Sequence, residues 1–182
     1  MDVGAIVIEP FNEAQLNTVS YDITLGDWVA RYKRNDAGLR FGIDTPEFAL
    51  EKTWDGHWLE PGERVLGHTR ERVGGRVSRR PHFKPYAATT ELRATSTFAR
   101  WGLTVCGDAG WGDVGFVNFW TLEITNHNPS RVFLPIGSVI GQIVFHAVPP
   151  PSGADYSEAG NYNSGEEWDP RDMLPKKGKV RR

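Results

Sequence analysis

"GWGDVGFVNFWTLEITN", residues 110–126, holds a glycine-punctuated turn followed by a strand, and it carries two carboxylates ten residues apart, Asp113 and Glu123. Side chains alternate across a strand. Trp120, Leu122 and Ile124 therefore share one face, and Phe119, Thr121, Glu123 and Thr125 share the other. Two readings of Glu123 follow. It lies on the wet side of a half-buried strand, or it forms a pocket floor where partial burial raises its proton affinity toward neutrality and makes it a usable general base. Asp113, set among glycines, has a comparable pair of readings, because aspartate is also a natural turn-former.

Outward from this stretch, 20 glycines and 12 prolines cut the 182-residue chain into short pieces, few of which hold a 3.6-residue apolar period. The pieces read as strands at 19–26, 28–34, 58–61, 63–73, 102–107, 115–126, 131–137 and 139–148. Short strands separated by turn chemistry predict an all-β barrel or sandwich. Two helical exceptions are expected: a turn or two at 12–18, and "TSTFARWGL" (95–103), with hydroxyls suited to capping and Gly102 to end it. The division expected is a β domain over 1–148 and a polar, Pro- and Gly-rich C-terminal arm over 149–182. Tyr156, Tyr162 and Trp168 in that arm give it the means to dock.

Composition removes several function classes. A net charge of -2 gives no case for bulk attraction to nucleic acid or membrane. No apolar run approaches the roughly 20 residues a bilayer demands, and the N-terminus shows no signal peptide, so a cytoplasmic location is expected. One cysteine, Cys106, excludes a disulfide framework and reads as a small buried hydrophobe. Five histidines show no i, i+4 pair, and the chain lacks CxxC, so protein-ligated zinc is not expected. Thr95, Ser96 and Thr97, with Arg100 one turn on, make either a small anion site or an ordinary helix cap beside a surface arginine.

Several segments together resemble one family, the dCTP deaminases, which group with the trimeric dUTPases. Ser96-Thr97-Phe98-Ala99-Arg100-Trp101-Gly102-Leu103 is similar to that family's S-S-L-x-R-x-G-L, and Asp113-Val114-Gly115-Phe116 to its D-x-G-[FWY] turn. Leu122-Glu123 stands at the family's ten-residue interval from that Asp. "SYDITLG" (20–26), "LEPGERVLGHTRE" (59–71), "LPIGSVIGQIVF" (134–145, with Gln142) and "GNYNSG" (160–165) resemble further family segments in the same order.

The resemblance implies a distorted β-barrel of the dUTPase-like type, assembled as a homotrimer with active sites between subunits. It implies an arm that closes over a deoxycytidine nucleotide and its Mg²⁺. Glu123 is then the base that activates water against cytosine C4, Ser96 holds the water or a phosphate, and Arg100 orients Glu123 or the tetrahedral centre. Nucleotide contacts fall to Thr95, Thr97, Trp111, Asp113, Phe116, Gln142, Tyr156 and Tyr162. The first reading is deamination of dCTP to dUTP and ammonia; the alternatives are a bifunctional enzyme that continues to dUMP, a plain dUTPase, and a non-catalytic nucleotide binder.

Three family phosphate contacts differ here, at Thr95 (commonly Arg), Asn161 (Lys) and Gly165 (Gln). A substrate of different phosphate number or 5-substituent would follow from those changes, unless the late basic residues from Lys176 to Arg182 compensate. Gly110-Trp111 replaces a His-Arg pair and is closer to members that also cleave dUTP.

Overall fold

The computed structural model describes residues 4–78, 80, 84–107, 109–162 and 167–176. Its strands are β1 (Ile6–Glu9), β2 (Tyr21–Thr24), β3 (Trp28–Tyr32), β4 (Phe48–Lys52), β5 (Gly56–Leu59), β6 (Arg64–Gly75), β7 (Ala87–Ala94), β8 (Leu103–Val105), β9 (Trp111–Gly112), β10 (Val117–Asn126), β11 (Val132–Pro135) and β12 (Val139–Val148). Two short helices, α1 (Ser96–Arg100) and α2 (Tyr156–Ala159), and single 3-10 turns at Glu13–Gln15 and Pro170–Met173 complete the elements. The chain is mainly β, as its turn chemistry requires.

The strands form antiparallel sheets in the orders β4-β3-β6-β10-β8, with β1 also on β6, then β2-β12-β7-β9, and a β11-β5 pair. They do not close into one continuous barrel among the described residues. The two larger sheets are joined at corners instead, by single bridges at Leu25↔Thr69 and Val77↔Ala87. Between them lies one apolar core that includes Ile23, Leu92, Leu122, Ile124, Ile140 and Ile143. Burying each such side chain stabilises the fold by about 1.5–3 kcal/mol.

Strand β10 carries the pattern that its sequence dictates. Asn118, Trp120, Leu122, Ile124 and Asn126 are buried, and the residues between them are half-buried. Its pairing with β6 slips at one point, where Phe119 opposes Arg72 but Thr121 opposes His68. Residues Thr69–Glu71 therefore bulge opposite Trp120. The Trp120 amide donates to Thr69 Oγ1 at 2.9 Å and its indole N–H to the Val73 carbonyl at 2.9 Å, so the irregular backbone keeps its hydrogen bonds. The bulge turns Glu71, only 3% exposed, toward β2. There its carboxylate accepts from the Thr24 amide (2.9 Å), the Thr24 hydroxyl (2.6 Å) and the Gln15 amide (3.0 Å).

After Val148 the chain folds back across the outer face of the first sheet. Met173 is buried beside Ala30 and Leu66, with Trp28, Phe48, Leu50 and Trp168 around it. Trp168 lies 4.2 Å, centroid to centroid, from the buried ring of His68. The His68 ring fills the space that a side chain at position 26 would take, so Gly26 is required there. Nδ1 of His68 faces the Thr69 carbonyl at 2.8 Å, which can only accept, and Nε2 receives the Trp28 amide at 3.3 Å, which can only donate. That pairing fits a neutral ring protonated at Nδ1. Asp27 Oδ1, 3.5 Å from Nε2, favours the cation, but burial is the larger effect and holds the His68 pKa below its ordinary value.

The unfolded chain thus takes up a proton near pH 6.5 that the folded chain resists. Stability contributed by neutral His68 is complete above that pH and falls as the pH drops from 6.5 toward the lower folded value. His57, also lowered by burial and then by Arg31, acts in the same direction. The urea midpoint is expected to fall between about pH 7.5 and about pH 5, and His68→Gln to reduce that fall without removing it. An equal fall in the variant would contradict this assignment.

Candidate active site

The turn that feeds β10 is built by its glycines. The Phe116 amide donates to the Asp113 carbonyl at 2.9 Å, and Gly115 takes φ +92°, a conformation that favours glycine. A Cβ at Gly115 would stand 2.7 Å from Asp155 Oδ1, so the arm approaches the turn more closely than any side chain permits. The Tyr156 amide donates to the Val114 carbonyl at 2.9 Å, docking α2 there. Phe116 is wedged edge-on between Trp120 (5.0 Å) and Tyr156 (5.1 Å).

Beneath this turn a cavity of about 440 Å³ opens on the outer face of β10. Phe119, Thr121 and Glu123 supply its floor, the 109–116 segment lines it with Trp111, Asp113 and Phe116, and the arm with Tyr156, Tyr162 and Met173. Glu123, in register with Leu66, is half-buried and forms no ion pair with a described residue. The Cys106 amide donates to the Glu123 carbonyl at 3.2 Å, and the buried Cys106 thiol is pushed far up in pKa, first by burial and then by the Glu123 charge. Cys106 is thus an inert thiol, as expected from its lack of activating context.

The residues singled out in the sequence fall into two groups. Glu123, Asp113, Trp111, Phe116, Tyr156 and Tyr162 meet around the cavity. Thr95, Ser96, Thr97 and Arg100 do not: they sit on α1, which packs through buried Phe98, leaving Ser96, Thr97 and Arg100 exposed. Thr95 Oγ1 accepts from the Phe98 amide at 3.3 Å, the capping bond that its sequence position predicts. Gln142 lies on β12 between Asp22 and Arg93, also away from the cavity, where its Oε1 accepts from Ser20 at 3.5 Å. Asn161 is tied through its carbonyl to the Lys176 ammonium, while Gly165 and the basic residues after Lys176 lie outside the described residues.

Sequence reading missed Arg64, Tyr32, Asn118 and Asp172 as cavity residues. Arg64 pairs next to Glu123's partner Leu66 on the same face of β6, within diagonal reach of the carboxylate. Asn118 had a visible signal, a polar residue in the inward row of Trp120, Leu122 and Ile124. Asp172 and Tyr32 had none, because the arm's docking brings the one near β10 and the strand order β3-β6-β10 brings the other. No group of three or more His, Cys, Asp or Glu side chains able to hold a metal ion occurs among the described residues. No helix among those residues is long and apolar enough to cross a membrane.

Residues 1–148 match the family described as dCTP deaminase-like. The chain belongs to that family. A Clostridium botulinum protein named dCTP deaminase, dUMP-forming, is 32% identical over 161 residues, which are 88% of this chain and 81% of the relative. A Leptospira biflexa protein of the same name is 34% identical over 88% of this chain and 80% of its own length. The fold is shared with the 2'-deoxycytidine 5'-triphosphate deaminase structure from Agrobacterium tumefaciens, with a TM-score of 0.54 at 16% identity over 79% of this chain and 43% of that one.

Proposed function

We propose that this family member is a bifunctional dCTP deaminase that releases ammonia from the cytosine ring and carries the product on to dUMP and pyrophosphate. The observation that carries the reading is Glu123, a half-buried carboxylate on the floor of an aromatic-walled cavity that Asp113, ten residues earlier, also lines. The names of the similar clostridial and leptospiral proteins favour the dUMP-forming reading over the one that stops at dUTP.

In the first step Glu123 takes a proton from water and the hydroxide adds to C4 of cytosine. The carboxyl group passes that proton to N3, then takes the proton of the new C4 hydroxyl and delivers it to the amino group as the C4 carbonyl forms and the C4–N bond breaks, so that dCTP and water give dUTP and ammonia. The aromatic walls exclude water and hold the base, and fixed donors stabilise the tetrahedral centre. In the second step water attacks the α-phosphorus and pyrophosphate leaves, with Asp113 helping to position that water. The substrate enters as its Mg²⁺ complex, the ion held mainly by the phosphates.

Charge explains why one chain is not enough. Among the described residues the cavity presents Asp113, Glu123 and Asp172 against a single cation, Arg64, which is unfavourable ground for a triphosphate. The exposed hydroxyls and Arg100 of α1 offer what the cavity lacks, and they supply it from a neighbouring copy. A homotrimer with sites between subunits fits that division. Within it Ser96 and Arg100 reach the Glu123 of another chain, as in the family resemblance.

Two measurements check this scheme. Glu123→Gln and Arg100→Ala are each expected to abolish ammonia release while Glu123→Gln still binds nucleotide. Mixed trimers of the two inactive variants should regain about a quarter of wild-type activity, since one site in four pairs an intact cavity with an intact helix. No recovery would contradict sites shared between subunits. Asp113→Asn should cut pyrophosphate release by more than about tenfold with ammonia release changed less than about threefold. Equal losses would remove Asp113 from the second step.

A further inference from the structure

We propose that Asn118 is a positioning residue that seats Tyr162 of the arm as a wall of the nucleotide cavity. The inference rests on the reading of that cavity as the nucleotide site. Asn118 occupies the inward row of β10 with Trp120, Leu122 and Ile124, and it is 6% exposed. A carboxamide in such a row costs free energy unless its polar ends are used. Both are. Oδ1 accepts from the Phe119 amide at 2.9 Å, and Nδ2 donates to the Tyr162 carbonyl at 2.8 Å.

Tyr162 is held at two further points. Its amide donates to the Tyr156 hydroxyl at 3.1 Å, and its own hydroxyl accepts from the Lys176 amide at 3.2 Å. The Lys176 ammonium lies 5.3 Å from the centroid of its ring. Tyr156 and Lys176 both belong to the arm. Of these three attachments, the Asn118 bond is the one that ties Tyr162 to the sheet carrying Glu123. Because Tyr156 packs on Phe116 and Phe116 on Trp120, the Asn118 bond sets how the aromatic wall stands over the floor.

The two ends of the side chain can be separated by substitution. Asn118→Asp keeps an oxygen to accept the Phe119 amide but replaces the donor to Tyr162 with a second acceptor, so two oxygens oppose each other. Asn118→Ala removes both bonds. The latch predicts that both variants are impaired. Backbone amides of 156–162 should exchange about tenfold faster in each, with those of 120–124 unchanged as the check on folding. The KM for dCTP should rise about tenfold with kcat within about threefold of wild type. A purely local role in the strand predicts otherwise: Asn118→Asp would match wild type in exchange and KM, with Asn118→Ala alone impaired, and that result would overturn the proposal. Inactivity of the wild-type protein toward dCTP would refute the functional reading by itself, and the exchange comparison would still decide the role of Asn118.

Discussion

The rest of the structure depends on how β6 is held against β10 around Trp120. An uninterrupted ladder would keep Thr69 and Glu71 in the first sheet and leave the corner with β2 without its polar anchor. The bulge sends Glu71 across to three donors on β2 and the preceding turn. A buried carboxylate so held is expensive to disturb, because losing a partner strands a desolvated charge. The same slip sets Phe119, Thr121 and Glu123 on the outer face opposite Arg72, His68 and Leu66. The floor of the site is thus a consequence of the device that joins the sheets.

On that outer face two demands compete. A strand face made of Phe119, Thr121 and Leu66 wants cover, and the arm provides it by burying Met173 and laying Trp168 over His68 and Phe119. A site needs room as well, and the cover stops short of Glu123, leaving a cavity whose walls are aromatic and whose charges are mostly negative. That imbalance suits a neutral pyrimidine and a proton-handling carboxylate better than it suits phosphates. The cationic and hydroxyl groups stand on α1, where they are free to serve another copy.

Much of this was legible in the chain. The alternation in β10, the cap and stop of α1, and the two faces of Glu123's strand follow from side-chain periodicity and turn chemistry alone. β7 was not, because "AATTELRA" has small, weakly apolar residues and no alternation, yet Ala87, Ala88, Thr89 and Thr90 are all buried. Small residues serve there because β7 passes close to neighbouring backbone: a Cβ on Gly75 would collide with the Ala88 carbonyl. β1 and β4 were missed as well, one short and the other following a long polar loop. The separation of α1 from the cavity is a relation between distant segments, which no local pattern encodes. The resemblance supplied the expectation of a subunit-shared site; the residues themselves supplied the cavity floor.

The most direct test of the account is the product distribution when the purified protein meets dCTP and Mg²⁺, with ammonia, dUTP, dUMP and pyrophosphate followed together. The account predicts ammonia, dUMP and pyrophosphate in equal amounts, with no accumulation of dUTP. Ammonia accompanied by dUTP alone would contradict the second step. Failure to release ammonia from dCTP would contradict the role given to Glu123.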